Sequence, residues 1–362
     1  MQKYKTKIFK MKAISLSVVF VFIFANSFSC TTFLLNNSKG ELVFGRNFDF
    51  PVGIGHVNFN YRGVEKTAFI RPPEKAIAWK SKYGSVTFNQ IGREFPYGGM
   101  NEKGLVIEQM WLQEAQYPDG DERFGITELQ WVQYQLDVCE TVDEVIQSDK
   151  MVRISYMSTA PLHFLVADAS GNVATIEYLN GELSVHQGAN LPHPVLANCT
   201  YEHSLAYKKS KENKEAKHFN NWTINSSGRF ARAARLIENY DGEQELCRFA
   251  FSVLDSVAQN PGTQWSIVYD ISRGEINYKT TQNKRVQQVN MNRFDFSCKP
   301  EKAYLNLCDE IADGMPLKKL TFEENLALIN KVVEQVDFLK NSVPEGANEA
   351  LARYVDNISC GE

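Results

Sequence analysis

The sequence predicts an α+β protein built on large antiparallel sheets. Three observations carry this. β-forming runs and helical runs come in blocks of strands, helices, strands, helices and strands, rather than in strict alternation. Gly- and Asn-containing turns separate the short strands at hairpin spacing. No repeat, low-complexity linker or change of composition interrupts the chain before about residue 300. With 43% hydrophobic and 23% charged residues, the composition is that of an ordinary globular protein.

The N-terminus reads as an export signal, 1–29, that is removed. Five lysines and no acid precede an apolar run from Ala13 to Phe24. As a helix this run spans roughly 18 Å, well short of the ~30 Å hydrocarbon core, so a signal h-region fits and a stable membrane span does not. Ser27 and Ser29 are small residues in the −3/−1 pattern of a cleavage site that leaves Cys30 first. Without the leader, 34 basic residues face 43 acidic ones, a balance poorly suited to nucleic acid.

Cys30-Thr31-Thr32-Phe33-Leu34-Leu35, the turn Asn36–Gly40 and Glu41-Leu42-Val43-Phe44-Gly45 predict a hairpin. Further strands are expected at Val57–Tyr61, Lys66–Ile70 and Leu105–Leu112, with Gly98–Gly104 as a tight turn. Ile126–Val138 has helical periodicity, and Thr141 with Glu144 forms a capping box for a second helix. Leu162–Val166, Val173–Tyr178 and Leu183–His186 read as a meander. Helices are expected at Phe230–Tyr240 and Gln244–Ala258, and a hairpin at Trp265–Lys279. Phe322–Leu339 reads as one amphipathic helix. The domain unit is then 30–300, followed by a helical extension, 301–362. Cys298, Cys308 and Cys360 lie close enough in sequence for a disulfide to staple that extension.

Cys30 has three readings: a structural cysteine, a lipid anchor, or a nucleophile. A lipid signal prefers a Leu-like residue at −3, but Ser27 stands there with bulky Phe28 after it. The hairpin favours the nucleophile. Its return strand ends beside the start of the first, delivering Arg46 and Asp49 to the new N-terminus. A cation beside a thiol favours thiolate, and a carboxylate can hold an α-ammonium. A terminal cysteine supplies both nucleophile and base, because its amine has a pKa of about 7.7–8. No histidine lies in a Cys-His protease context. Thr31 or Thr32 as nucleophile would need further trimming.

Cys30-Thr31-Thr32, Gly45-Arg46-Asn47-Phe48-Asp49 and Gly99-Met100-Asn101-Glu102-Lys103-Gly104-Leu105 together resemble the choloylglycine hydrolase family. These N-terminal-nucleophile (Ntn) hydrolases include conjugated bile salt hydrolases and penicillin V acylases. The resemblance runs from Cys30 to about Lys279. It implies a four-layer αββα sandwich with two packed antiparallel sheets. It also implies a site made of Cys30 as nucleophile, Arg46 beside the thiol, and Asp49 on the α-amine. Asn198 would serve in the oxyanion hole and Arg229 at the site, with Arg232 as the competing register. The second oxyanion donor is then the Trp111 backbone N–H, with its indole facing substrate. Phe48, Phe50 and the segment Ile54–Phe59 are expected to form pocket walls.

The resemblance implies hydrolysis of a small-molecule N-acyl amide with no metal or cofactor, and a possible homotetramer. Conjugated bile acids are the first substrate expectation. Penicillin V and acyl-homoserine lactones are the alternatives. A secreted or lipid-anchored binding protein is the reading from another class.

Overall fold

The computed structural model describes residues 30–213, 220–311 and 315–361. The segment read as an export signal lies outside them. β1 (Thr31–Asn36) and β2 (Leu42–Asp49) form the expected hairpin, in register from Thr31↔Asn47 to Asn36↔Leu42. The Asn37 side-chain oxygen accepts the backbone N–H groups of Lys39 and Glu41, which closes the turn locally. Gly40 takes φ +77°, a conformation that favours glycine.

β3 (His56–Asn60), β4 (Val64–Thr67) and β5 (Ala78–Lys80) come next, then β6 (Ser85–Asn89), β7 (Pro96–Asn101) and β8 (Val106–Trp111). The strand expected at Lys66–Ile70 is displaced. Phe69 leaves the ladder and gives its N–H to the Gln130 side chain at 2.6 Å. Gly98–Gly104 is not a single turn either. Gly98 and Gly99 lie inside β7, and the chain turns only over Asn101–Gly104. Gly98 sits over the Glu108 carboxylate of β8, where any Cβ would overlap it.

β9 (Phe124–Ile126), α1 (Glu128–Val138), α2 (Val142–Ser148) and β10 (Val152–Ile154) follow. The Thr141/Glu144 capping box is formed at α2. β11 (Leu162–Ala167), β12 (Val173–Leu179) and β13 (Glu182–Gln187) are the expected meander. After β14 (Val195–Leu196) come α3 (Tyr201–Glu212), α4 (Asn221–Glu238) and α5 (Leu246–Ser256). α4 starts well before the expected Phe230, because the Asn220 side chain caps the Thr223 N–H and carries a polar first half into the helix.

β15 (Thr263–Asp270), β16 (Glu275–Thr280) and β17 (Gln287–Asn290) precede β18 (Ala303–Asn306) and β19 (Lys318–Lys319). α6 (Phe322–Gln335), α7 (Asp337–Ser342), α8 (Ala347–Arg353) and β20 (Ser359–Cys360) complete the chain. The single tail helix expected over Phe322–Leu339 is two helices. Val336 takes extended angles (φ −118°, ψ 99°) to bury its side chain, and this breaks the helix.

Two sheets face each other. One has six strands in the order β14-β1-β2-β15-β16-β17, and the other nine in the order β13-β12-β11-β8-β7-β6-β3-β18-β19. Between them Phe88 of β6 meets Trp265, Tyr269 and Tyr278 of the six-stranded sheet at ring distances of 6.3, 6.1 and 5.6 Å. Burying such a ring contributes roughly 1.5–3 kcal/mol. α4 and α5 cover the six-stranded sheet, and α1 and α2 cover the nine-stranded one. The result is the expected αββα sandwich. β18 and β19 extend the nine-stranded sheet beyond residue 300, so the last sixty residues begin as part of the core sheet. Cys298 and Cys360 form a disulfide, leaving Cys308 reduced. Among the described residues no helix is long and apolar enough to cross a membrane.

Candidate active site

Cys30 enters β1 almost fully buried, at 4% exposure. The hairpin register sets Arg46 opposite Thr32, on the face turned towards the other sheet. Its guanidinium reaches Cys30, donating from Nη2 to Sγ at 3.7 Å. Nη1 donates to the Tyr97 carbonyl at 3.2 Å and to the Glu108 carboxylate. Glu108 also accepts the Tyr269 hydroxyl. Phe48, two residues on and on the same face, lies 5.0 Å beneath the guanidinium and stacks on Trp265 at 4.3 Å and on Phe50 at 5.3 Å.

Burial pushes the Cys30 thiol up. Arg46 draws it back down, and the nearby Asp49 carboxylate pushes it up again. The expected thiolate-favouring effect of Arg46 is therefore present but outweighed. Glu108 already pairs the arginine, and the sulfur has little contact with water.

Asp49 is also buried, and its carboxyl is pushed up to about 6, chiefly by burial. Arg229, the Thr263 hydroxyl and Arg46 pull the other way. Among the described residues neither carboxylate oxygen makes a hydrogen bond of good geometry. A raised carboxyl pKa means that the folded chain holds the proton more tightly than the unfolded one. Stability is then greatest below the ordinary value of 3.8 and falls as pH rises through about 6. In the uncleaved chain, Asp49→Asn is expected to abolish this slope and to gain up to roughly 3 kcal/mol at neutral pH. If the chain started at Cys30 and its α-ammonium lay beside Asp49, the sign would reverse. Denaturant midpoints from pH 4 to 7 on both forms check this, and a flat wild-type profile in the uncleaved form contradicts it.

Arg229 comes from α4 on the other face of β1. It donates to the Cys30 carbonyl, to Thr31 Oγ1 at 2.6 Å and to Asn198 Oδ1 at 3.0 Å. Arg232 instead reaches the Ser256 carbonyl at 2.8 Å on an exposed surface, so Arg229 is the register that meets the site. Thr31 is held by Arg229, and Thr32 donates to the Met110 sulfur at 3.2 Å.

Asn198 follows β14. Its backbone N–H donates to Ser226 Oγ at 2.8 Å, and its Nδ2 donates to the Trp111 carbonyl at 2.9 Å. Trp111 ends β8 opposite Leu162, and the next residue, Leu112, gives its N–H to Pro161. By the alternation of antiparallel ladders, the Trp111 N–H and carbonyl both turn away from β11, towards Asn198. The half-buried indole donates to Gln113 at 3.3 Å.

The structure thus brings Cys30, Arg46, Asp49, Asn198 and Arg229 together, with the Trp111 backbone, Phe48 and Phe50 close by. The segment Ile54–Phe59 is divided. Val57 and Phe59 are fully buried, and Phe59 packs on Phe294 at 4.6 Å, so these two are core residues rather than pocket wall. The alternation of β3 and its pairing on both sides by β6 and β18 impose this.

Four residues not singled out in the sequence shape the site. Glu108 holds Arg46 and is itself held by the Tyr269 hydroxyl. His163, fully buried, contacts the Ala197 carbonyl through Nε2 at 2.7 Å and Glu177 through Nδ1 at 2.9 Å. Glu177 also accepts the Tyr201 N–H at 3.1 Å, tying the start of α3 to the turn that carries Asn198. The available signal was a lone ionisable residue inside an apolar strand run, which needs a buried partner. Among the described residues no three His, Cys, Asp or Glu side chains converge as a metal site requires.

Residues 30–304 match the model of the linear amide C–N hydrolases, choloylglycine hydrolase family. A penicillin V acylase from Pectobacterium atrosepticum is 30% identical over 180 residues, covering 45% of this chain and 47% of that protein. The chain therefore spans about half the length of that relative. A bile salt hydrolase/transferase from Clostridium perfringens is 24% identical over 324 residues, covering 76% of this chain and 96% of that protein. The solved penicillin V acylase of Agrobacterium tumefaciens superposes with a TM-score of 0.67 at 27% identity, covering 81% of this chain and 98% of its own. A mutant conjugated bile acid hydrolase from Clostridium perfringens shares the fold at TM-score 0.61 and 18% identity, covering 82% and 98%. With the match running unbroken from Cys30 into β18, the chain belongs to the choloylglycine hydrolase family of linear amide C–N hydrolases.

Proposed function

We propose that this protein is an exported amidase whose nucleophile is Cys30, unmasked with a free α-amine when residues 1–29 are removed. The observation that supports this best is the buried Asp49 carboxylate, whose oxygens make no hydrogen bond of good geometry among the described residues. An α-ammonium on Cys30 gives that carboxylate a direct counter-ion beyond the charges of Arg229 and Arg46. Without one, a buried ionised carboxylate is costly.

The α-amine takes the thiol proton, and Sγ attacks the carbonyl carbon of a linear amide. The developing oxyanion is met by Asn198 Nδ2 and the Trp111 N–H, and each such donor is worth ~3 kcal/mol of barrier. Arg229 fixes the Asn198 amide through Oδ1 and holds the Cys30 carbonyl, which orients the new chain end. Arg46, anchored by Glu108, keeps a positive charge at the sulfur. The ammonium then protonates the leaving nitrogen, the C–N bond breaks, and a thioester remains on Sγ. Water, deprotonated by the same amine, cleaves the thioester and releases the acid.

Conjugated bile acids are the first substrate class. Aryl-acyl amides of the penicillin V type are the second, favoured by the Trp111 indole and by the likeness to two penicillin V acylases. Release of amine from taurocholate, glycocholate, penicillin V and an acyl-homoserine lactone, measured on material whose mass shows it begins at Cys30, is expected to be positive for at least one of them. Inert but correctly processed protein across all four would refute the substrate reading.

A further inference from the structure

The two donors proposed for the oxyanion belong to different sheets. Trp111 ends β8 of the nine-stranded sheet, and Asn198 follows β14 of the six-stranded one. An oxyanion must be met by both at about 2.7–3.1 Å, so the spacing of the sheets at this end of the sandwich is part of the site. Apolar packing between the sheets is non-directional and does not by itself aim an amide.

His163 supplies a directional tie. It lies on β11, paired with Met110 of β8, the residue before Trp111. Cross-strand partners share a face, and both side chains turn towards the six-stranded sheet. The Met110 sulfur accepts from Thr32 of β1, which pairs with Leu196 of β14. His163 Nε2 contacts the carbonyl of the next residue, Ala197, at 2.7 Å. The peptide between Ala197 and Asn198 is then held on both sides. Its carbonyl meets His163, and its N–H donates to Ser226 Oγ at 2.8 Å. Beyond that peptide, Arg229 holds Asn198 Oδ1 at 3.0 Å, and Nδ2 donates to the Trp111 carbonyl at 2.9 Å. Nδ2 carries two hydrogens, so one remains for an oxyanion.

The chemistry of the ring fits a tie. A carbonyl oxygen only accepts, so Nε2 carries the hydrogen of that bond. Nδ1 faces Glu177 Oε1 at 2.9 Å, and Glu177 takes the Tyr201 N–H on both oxygens, at 3.1 and 3.3 Å. A flipped ring would set carbon against both acceptors, so the two contacts together lock it. The neighbours Leu162, Phe164 and Leu165 are apolar core. A buried ionisable pair among them is often no more stabilising than apolar side chains of the same volume. What it adds is direction.

We infer that His163 is a positioning residue for amide cleavage. By donating from Nε2 to the Ala197 carbonyl, it ties the nine-stranded sheet to the turn after β14. The tie sets the gap between the Trp111 N–H and Asn198 Nδ2 in which the oxyanion forms. Glu177 holds the ring to that task. Both side chains are fully buried and act through Asn198 rather than on the substrate. This inference rests on the amidase reading above and adds the residue that holds its oxyanion hole.

The test compares His163→Asn with His163→Gln in protein beginning at Cys30. The asparagine amide reaches only as far as Nδ1, which keeps Glu177 and leaves the Ala197 carbonyl without its donor. The glutamine amide reaches the place of Nε2 and restores that donor. On whichever of the four amides above the parent cleaves, His163→Asn is expected to lower kcat by about 10²-fold with KM within about threefold. That split marks a group whose effect is confined to the transition state. His163→Gln is expected to recover about tenfold of the loss or more. Alkylation of Cys30 by iodoacetamide forms no oxyanion and is expected to keep the parent's rate in both variants. Equal loss of alkylation and turnover would show a general disturbance of the site and overturn the inference, as would parent-like kcat in His163→Asn. The amidase reading survives either result. A parent that cleaves none of the four amides sinks the amidase reading instead, and crystal structures then decide the positioning claim without turnover. Asn198 Nδ2 is expected to move by ~0.5 Å or more relative to the Trp111 nitrogen in His163→Asn and to return in His163→Gln. An unmoved Asn198 overturns the claim. If His163→Asn does not fold, Glu177→Gln takes its place, because it loosens the ring and leaves Nε2 intact. There, about tenfold lower kcat at unchanged KM supports the inference, and parent-like kcat overturns it.

Discussion

Cys30→Ser is expected to fold like the parent and to lose amide turnover by about 10³-fold or more. The two side chains are close in size, and the site is nearly sealed at 4% exposure, so the loss of core contact is small, under ~1.5 kcal/mol. The serine hydroxyl can still accept from Arg46. Chemistry is where the two differ. The amine of a terminal residue titrates within about a unit of a thiol, but far below an aliphatic hydroxyl, so drawing a proton from sulfur is nearly balanced and drawing one from oxygen is strongly uphill in a site built around sulfur. Intact mass, circular dichroism and amine release on the same sample check the three parts. Parent-like release from a correctly processed serine variant would remove Cys30 from the mechanism.

Glu108→Gln is expected to be the most damaging of the buried changes to stability. Arg46 and Glu108 are 1% and 0% exposed and share a direct ion pair. The glutamine keeps the shape but leaves a guanidinium in the interior with no anion against it. Removing one partner of a buried pair typically costs 3–5 kcal/mol. The same change alters the thiol. With its counter-ion gone, Arg46 acts on Sγ less compensated, so the pH at which iodoacetamide alkylates Cys30 should move down. Urea midpoints and the pH dependence of alkylation at the Cys30 peptide measure the two effects. An unchanged midpoint would show that Glu108 is not the counter-ion of Arg46.

Features encoded by neighbouring residues were legible in the sequence. The hairpin follows from Asn37 and Gly40, α2 from Thr141 and Glu144, and the meander from alternation between glycine turns. The meeting of Cys30 with Arg46 follows from the hairpin alone, because turn length sets register. Asn198 and Arg229 were reached only through family resemblance, because β14 and α4 lie far along the chain from Cys30. Glu108, Tyr269, His163 and Glu177 were not legible. Glu108 meets Arg46 and Tyr269 across the two facing sheets, and the His163–Glu177 pair reaches the Ala197 carbonyl and the start of α3, contacts that no local stretch of sequence displays. Gly98 was read as a turn residue because a glycine pair usually marks one. Its actual use is clearance for the Glu108 carboxylate, which depends on the neighbouring strand. The start of α4 was missed because a capped polar turn shows no apolar period.

The β1–β2 hairpin also bears on the order in which the protein is made. Strand pairing this local needs little loop closure, so it can form as soon as the segment is free to fold. Asn198 and Arg229 are translated much later. The sulfur therefore acquires its arginine early and its amide donor late. The arginine contact to the sulfur is thus encoded locally, whereas the Asn198 and Arg229 contacts wait for chain almost two hundred residues further on.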